Sequence, residues 1–429
     1  MRKVILFALW ALSLTCINAQ NVRDQLMRDF FKAGSNYYAY QGPTRKLTPA
    51  PSGYKPFYLS SYARHGSRYL IKESEYDYPY FELQKAEEAG KLTNLGKKAL
   101  RLLGYLREDA KGRYGDLTPL GVAQHRQIAQ RMYDRFPEVF SGRAIVEAKS
   151  TVVIRCILSM QNELLQLAKN NPRLIFNSDA SQYDMNYMNF QDSALYKKRY
   201  SPKTQEIYNE FCKKYAIHNR AMIKLFNDTA YFNHEVDAFE LNKSIFKIAS
   251  SVQGTEMRDL FNLFNIYSPD ELYDNWLQAN AFWFLSFGCN PYNGAQQPYT
   301  QRNLLRRIIE DADSCIHRPT PGATLRFGHE TIILPLVCLL DLNGYGRQID
   351  DLEKLDINGW INFEVFPMAA NIQFVFYRRN KKDKDIIFKV LLNENEATLP
   401  LKTDIAPYYY WKDFRDFYLK KLDAYVLAP

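Results

Sequence analysis

"FYLSSYARHGSRYL", residues 57 to 70, passes from an apolar and aromatic run into two arginines, a histidine and a glycine. The first half reads as a β-strand that stops at Gly66. The second half crowds Arg64, His65 and Arg68 into five residues. Like charges at such range repel, so the cluster makes sense where an anion normally sits among the three side chains. In open α/β sheets, ligands bind beyond the carboxyl ends of strands. A strand that ends in this cluster therefore points to both a fold class and a site.

Two further stretches have the same form. "AIVEAKSTVVIR" (144–155) is β-branched and strand-like and ends at Arg155, and "ATLRFGHE" (323–330) runs into His329 and Glu330. "RLIFNSD" (173–179) reads as another strand, and "NIQFVFYRR" with "DIIFKVLLN", joined by "NKKDKD", as an antiparallel hairpin. Helices separate them. In "DLTPLGVAQHRQIAQRMYDRF", Thr118 is the N-cap and Pro119 the first helical residue, with Leu120, Ala123, Ile128 and Met132 on an apolar face. "CILSMQNELLQLAK" has helical spacing at Ile157, Met160, Leu164 and Ala168, and the tail "PYYYWKDFRDFYLKKLDAY" reads as an amphipathic helix docked on the core. Residues 180–310 are mostly helical in pattern. The fold class is α/β: a mixed central sheet with helices on both faces. The division is a core of 20–179 and 311–429 with a mainly α-helical insertion at 180–310.

The totals agree with a folded enzyme-sized chain: 429 residues, 46% hydrophobic and 24% charged, with a formal net charge of +9. "MRKVILFALWALSLTCINA" (1–19) reads as a secretory signal, with Arg2 and Lys3 ahead of an apolar run too short to span a bilayer. Its removal takes away two positive charges and leaves about +7. Thr15 is larger than the residue a lipid-attachment site at Cys16 wants, so lipoprotein anchoring is not expected. The reading is an exported protein, periplasmic or extracellular, with no integral membrane segment. A basic chain favours anionic partners, but no motif organises the charge for nucleic acid. Cys156, Cys212, Cys289, Cys315 and Cys338 show no paired metal spacing. Neither a metal nor another cofactor is expected. Export allows one disulfide, for which Cys289 with Cys315 is a candidate; Cys156 and Cys338 read as buried small apolar residues. Oligomeric state is open.

Arg64, His65 and Arg68 suit a phosphate. Guanidinium offers a planar fork of donors to its oxygens and stays charged. Gly66 lets the backbone turn sharply and approach a ligand. Arginine charge keeps the imidazole neutral, and its free nitrogen can attack phosphorus to form a phosphohistidine that water then hydrolyses. The arginines stabilise charge on the phosphoryl oxygens, and Glu330 is the candidate to protonate the leaving alcohol. Lys72 is a possible second phosphate subsite. His125, His218, His234 and His317 lack comparable company and read as structural or exposed, and "YKKRYSPK" (196–203) as a solvated face.

"YARHGSRY" resembles the RHGxRx signature of the histidine phosphatase superfamily. "LTPLGVAQHR", "STVVIRCILSM", "LRFGHETIILPL" and "FPMAANIQFVFYR" with "KVLLNENEATLP" follow in the order of its acid phosphatase and phytase branch, over residues 24 to 425. The approach to the first motif and "FGHE…LPL" are most similar to the multiple inositol polyphosphate phosphatases and their bacterial relatives. The resemblance implies His65 as nucleophile, with Arg64, Arg68, Arg155 and His329 holding the scissile phosphate. It also implies a metal-free two-step hydrolysis and an insertion that shapes substrate choice. The chain departs after the second histidine. Acid phosphatases and many phytases have Asp there and the inositol group has His-Ala-Glu, whereas here Glu330 takes the Asp position and Thr331 stands where the inositol group keeps its Glu. Leu70 likewise replaces a frequent proline. Phytate or other inositol polyphosphates are the implied substrates. The alternatives are a broad acid or sugar-phosphate phosphatase and a non-catalytic phosphate-ester binding protein. Mutase-like transfer fits export and the insertion poorly.

Overall fold

A computed structural model of the chain describes residues 22–216, 218–260, 262–318 and 320–427. The signal-like segment 1–19, with Cys16, lies outside the described residues. Eight strands form one mixed sheet: β1 (Lys55–Arg64), β2 (Ile145–Ser150), β3 (Ile175–Asp179), β4 (Gly322–Gly328), β5 (Asn371–Arg378), β6 (Ile387–Leu392), β7 (Asn395–Ala397) and β8 (Tyr409–Tyr410). Their order is β3-β2-β4-β1-β5-β6-β7, with β8 also on β6. Strands β3, β2, β4 and β1 run parallel, and β5 is antiparallel to β1. The carboxyl ends of β1, β2 and β4 therefore share one edge.

β1 sits between β4 and β5 and is buried from Pro56 onward, as a strand covered on both faces must be. Its side chains alternate between two cores. Leu59 and Ala63 pack with Ile128, Met132 and Met160, which come from the helices Pro119–Arg135 and Ile154–Asn170. Tyr58 and Tyr62 belong to the opposite core with Ile333, Leu336, Phe414 and Tyr418, from the helices Glu330–Leu340 and Trp411–Asp423. Helices thus cover both faces.

All described elements between β3 and β4 are helical. They pack with earlier helices as well as each other: Thr93 N–H donates to Leu225 O (2.9 Å) and Asn227 N–H to Lys91 O (2.9 Å). The helix Ala238–Val252 shares a core with Ser74–Glu88 through Ile245, Ile248, Tyr76 and Leu83. Among the described residues, no helix is long and apolar enough to cross a membrane.

Three local expectations are corrected. The strand read over 144–155 ends at Ser150, whose partner on β4 is Phe327. Beyond it Val152 and Ile154 are exposed, and Arg155 falls in the first turn of the next helix. Of the apolar face read on Pro119–Arg135, Ile128 and Met132 are buried while Leu120 and Ala123 are only half-buried, and Gly121, Gln124, His125 and Ala129 complete the buried set. Cys289 and Cys315 are both free, like the other described cysteines.

Candidate active site

β1 carries Arg64 and His65 to the sheet edge, where their backbone is held from two sides. Arg64 N–H donates to Ala370 O (2.8 Å), His65 N–H to Gly328 O (2.9 Å) and Ala369 N–H to His65 O (3.0 Å). Gly66 comes next because nothing larger fits. A Cβ there would lie 2.4 Å from the Gly121 carbonyl oxygen, and one on Gly121 would lie 2.3 Å from the Ser67 carbonyl oxygen. Its φ is not in the left-handed region. The glycine therefore serves a backbone contact with the helix Pro119–Arg135, without the left-handed backbone that a sharp glycine turn would use. Thr118 completes the join: its N–H and hydroxyl both donate to Ser67 O, at 2.9 and 3.0 Å.

Around His65 the structure gathers Arg64, Arg68, Arg155, His329 and Glu330. The Arg64 guanidinium is fully buried, pinned by Nη1 to the carbonyls of Asn36 (2.5 Å) and Phe366 (2.9 Å). Its Nε lies 3.0 Å from Glu330 Oε2, without the alignment of a hydrogen bond. Arg68 Nη1 donates to Tyr69 O at 2.9 Å, and its guanidinium sits 5.5 Å from the Tyr37 ring centroid. Arg64 Nη2, Arg68 Nε and Arg155 Nε are buried with no hydrogen-bond partner. Buried donors are nearly always satisfied. Three left open around one imidazole describe a receptor for an oxyanion.

His65 is set up as an acceptor. Its Nδ1 is 2.9 Å from Gly66 O; a carbonyl only accepts, so Nδ1 carries the proton and the Nε2 lone pair is free. Nε2 lies 3.8 Å from Glu330 Oε2. Burial, and then the charges of Arg64, Arg68 and Arg155, hold its pKa well below the usual histidine value. His329 ends β4 and caps the helix Glu330–Leu340. Its ring centroid is 5.7 Å from that of His65, and its Nε2 is 3.2 Å from Thr151 Oγ1. Burial brings its pKa down to about 4. Burial alone would raise the Glu330 carboxyl, but Arg64, Arg68 and His329 outweigh it and lower the pKa to about 2. Without an anion in the cradle, Glu330 is a carboxylate.

His65, His329 and Glu330 also offer ligand atoms within 4.8 Å of one another, the one such group of metal-ligand types among the described residues. The guanidinium charges beside them oppose a cation and suit an anion. Lys72 belongs to the segment between the cradle and the next helix. It is exposed ahead of the helix Ser74–Glu88, where its N–H donates to Glu75 Oε2 at 2.9 Å.

The residues that sequence reasoning passed over stand behind the strand ends. His125 is fully buried, with Nε2 at 3.1 Å from Arg64 O and Nδ1 at 2.9 Å from Glu163 Oε2. Nε2 must donate to that carbonyl, and burial raises the Glu163 pKa. Ser159 Oγ accepts from Gly66 N–H at 3.1 Å. Shifting the buried face of Pro119–Arg135 by one residue turns Gln124 and His125 inward, and that phase was the available signal. His234 is exposed and His218 is half-buried in the helical region.

Comparison with known proteins agrees with this geometry. The model of the histidine phosphatase superfamily (branch 2) matches residues 61–393. Among solved structures, the multiple inositol polyphosphate phosphatase of Bifidobacterium longum is 19% identical, with a TM-score of 0.68 over 92% of this chain and 100% of that one. The phytase from D. castellii is 14% identical, with a TM-score of 0.69 over 92% of this chain and 85% of that one. The Hafnia alvei phytase is 14% identical, with a TM-score of 0.54 over 86% and 98%. Identities this low speak for the fold. No curated protein matches the chain. The family match covers most of the chain and includes every residue of the cradle: this protein belongs to branch 2 of the histidine phosphatase superfamily and is a phosphatase.

Proposed function

We propose that the chain is an exported hydrolase of phosphate monoesters that works through a phosphohistidine on His65, with inositol polyphosphates such as phytate as substrates. The observation that carries the mechanism is the free Nε2 of a buried, neutral imidazole facing three unsatisfied guanidinium donors. Arg64, Arg68 and Arg155 take the oxygens of the scissile phosphate, and His329 joins them from β4. Nε2 forms a P–N bond as the P–O bond to the alcohol breaks. The departing oxygen takes a proton from the Glu330 carboxyl. Water then attacks phosphorus, its proton passes to the Glu330 carboxylate, and the P–N bond breaks to release inorganic phosphate.

Glu330 acts as an acid only when protonated, and the charges of the cradle hold it at about 2. A bound phosphate ester offsets the guanidinium charge and adds negative charge beside the carboxyl, so binding itself raises the pKa. Glu330 Oε2 lies near both His65 Nε2 and Arg64 Nε, as a group that serves both steps must.

Support for inositol polyphosphates comes from the motif resemblance and from the likeness to the B. longum phosphatase. Support for export to the periplasm or exterior comes from the signal-like residues 1–19. Turnover of phytate, sugar phosphates, nucleotides and an aryl phosphate, compared as kcat/KM, tests the substrate. Phytate should lead, and a sugar phosphate in first place would overturn the inositol reading while leaving the chemistry intact.

A further inference from the structure

β2 ends at Ser150, and the next residue, Thr151, is fully buried. Its N–H donates to Phe327 O at 2.9 Å, which ties it to the end of β4. Ser150 Oγ donates to Thr151 O at 2.8 Å, so the backbone is held on both sides. Thr151 Oγ1 then stands 3.2 Å from His329 Nε2. Cys156, in the first turn of the helix Ile154–Asn170, closes the same space. Its Sγ lies 3.4 Å from Gly328 O, and 3.8 and 3.9 Å from Nε2 and Nδ1 of His329. A sulfur almost equally far from both ring nitrogens is in line with neither N–H direction, so it packs on the imidazole and takes no hydrogen bond from it.

The direction of the Thr151 hydroxyl follows from these neighbours. Burial keeps Cys156 a thiol, with its pKa pushed up to about 11. The thiol donates to Gly328 O, a carbonyl that only accepts. The hydroxyl proton of Thr151 has two acceptors beside it, this weakly accepting sulfur and an imidazole nitrogen. Burial brings the His329 pKa down to about 4, so at neutral pH the ring carries a single N–H. A proton on Nε2, aimed at Thr151, would leave the hydroxyl only the sulfur and would make Nδ1 a bare lone pair. With the hydroxyl donating to Nε2, each group has its better partner and the ring proton falls on Nδ1.

We propose that Thr151 is a positioning residue of this phosphatase: its hydroxyl donates to His329 Nε2, fixes the ring as the Nδ1–H form, and so makes Nδ1 the donor to a phosphoryl oxygen. The inference rests on the reading above that His329 joins the arginines on the scissile phosphate. Thr151 touches neither substrate nor the reacting atoms. It decides that a neutral imidazole meets the oxyanion with a proton and not with a lone pair, which would repel it. Residues 151–155 thus give the site two things, the Arg155 guanidinium and the hydroxyl that sets the proton of His329.

Nitrogen NMR of the protein isotope-labelled in its six histidines reads the tautomer directly at neutral pH, and His329→Asn assigns the signal by removing it. His329 should carry its proton on Nδ1 in the unmodified protein. It should lose that preference in Thr151→Val, which keeps the shape of the side chain and removes the hydroxyl. Turnover (kcat) of an aryl phosphate should fall about 10-fold in the same variant. Thr151→Ser, which keeps the hydroxyl and drops the methyl, should recover both the Nδ1 proton and most of kcat. A proton on Nε2 in the unmodified protein, undiminished kcat in Thr151→Val, or equal damage by Val and Ser overturns the proposal. Calorimetry with inorganic phosphate separates it from the reading beneath it. If His329→Asn binds phosphate as tightly as the parent, His329 does not hold the anion and both fall; if only His329→Asn is impaired and Thr151→Val is not, the positioning role alone falls.

Discussion

Inorganic phosphate should stabilise this protein against heat, and the effect should depend on the three open guanidinium donors. Arg64 Nη2, Arg68 Nε and Arg155 Nε are buried and unpartnered, and an unsatisfied buried donor costs about 1–3 kcal/mol. An oxyanion in the cradle removes that cost and offsets the burial and, after it, the mutual repulsion that lower the Arg64 and Arg155 pKa values. A ligand that binds only the folded state stabilises it by about 2.7 kcal/mol at one hundred times its Kd. One kcal/mol moves Tm by roughly 2–4 °C in a chain of about 150–250 residues and by less in a longer one. A chain of 429 residues should then rise by about 5 °C or somewhat less. The assay is thermal unfolding followed by circular dichroism, in phosphate and in sodium chloride of equal ionic strength. Arg155 is the residue to change, because it lies in the first turn of a helix and is only half-buried. Arg155→Met should be at least as stable as the parent without phosphate and should lose most of the phosphate response. A shift reproduced by chloride, or a full phosphate response in Arg155→Met, refutes the cradle.

Other expectations follow from single groups. Glu330→Gln should slow esters of poor leaving groups far more than aryl esters; equal slowing in steady-state kinetics points to another donor. Because Glu330 must be protonated in the substrate complex, kcat for poor leaving groups should fall as pH rises through its raised pKa, and the Gln variant should lack that limb. His329 bears on stability: its pKa drops from 6.5 to about 4 on folding, so the unfolded chain binds the extra proton between these values. Its contribution, about 3 kcal/mol, is present above 6.5 and lost as pH falls towards 4. Phosphate-free denaturant unfolding should show this slope, and His329→Asn should flatten it. His125→Ala should lower kcat about 10-fold or more through loss of the hydrogen bond to Arg64 O, with KM for an aryl phosphate changing little. His125→Asn should recover part of the loss, whereas equal damage by both variants would mark His125 as packing alone.

Much of this site was legible because its residues sit at strand ends, where a chain reads as apolar and then abruptly charged. Arg64-His65 and His329-Glu330 fall where β1 and β4 stop, and the parallel pairing of Arg64 with Gly328 brings them together. Arg155 was read as the end of a strand, whereas "TVVIR" is a loop and a helix start. β-branched residues are ambiguous once the strand loses its partner, and pairing is a tertiary fact. Three things were not legible. Gly66 owes its place to the Gly121 carbonyl 55 positions along the chain, a contact that no local pattern announces. His125 is buried because its face carries polar groups that satisfy the back of β1, so hydrophobic periodicity alone left it open as structural or exposed. Arg199 lies in a run of lysines and tyrosines whose surface-like composition hides the one member that stacks on Phe287. Polar groups that are buried for a purpose break the patterns by which burial is read.

Covalent trapping tests the central claim most directly. The enzyme is mixed with an aryl phosphate, quenched in alkali during turnover, digested and sequenced by tandem mass spectrometry. The account predicts one phosphoryl group on the imidazole of His65, present during turnover and absent after substrate is exhausted. His65→Ala should be inactive, unlabelled and still stabilised by phosphate. A phosphoryl group on any other residue, or full turnover by the His65→Ala protein, would contradict it.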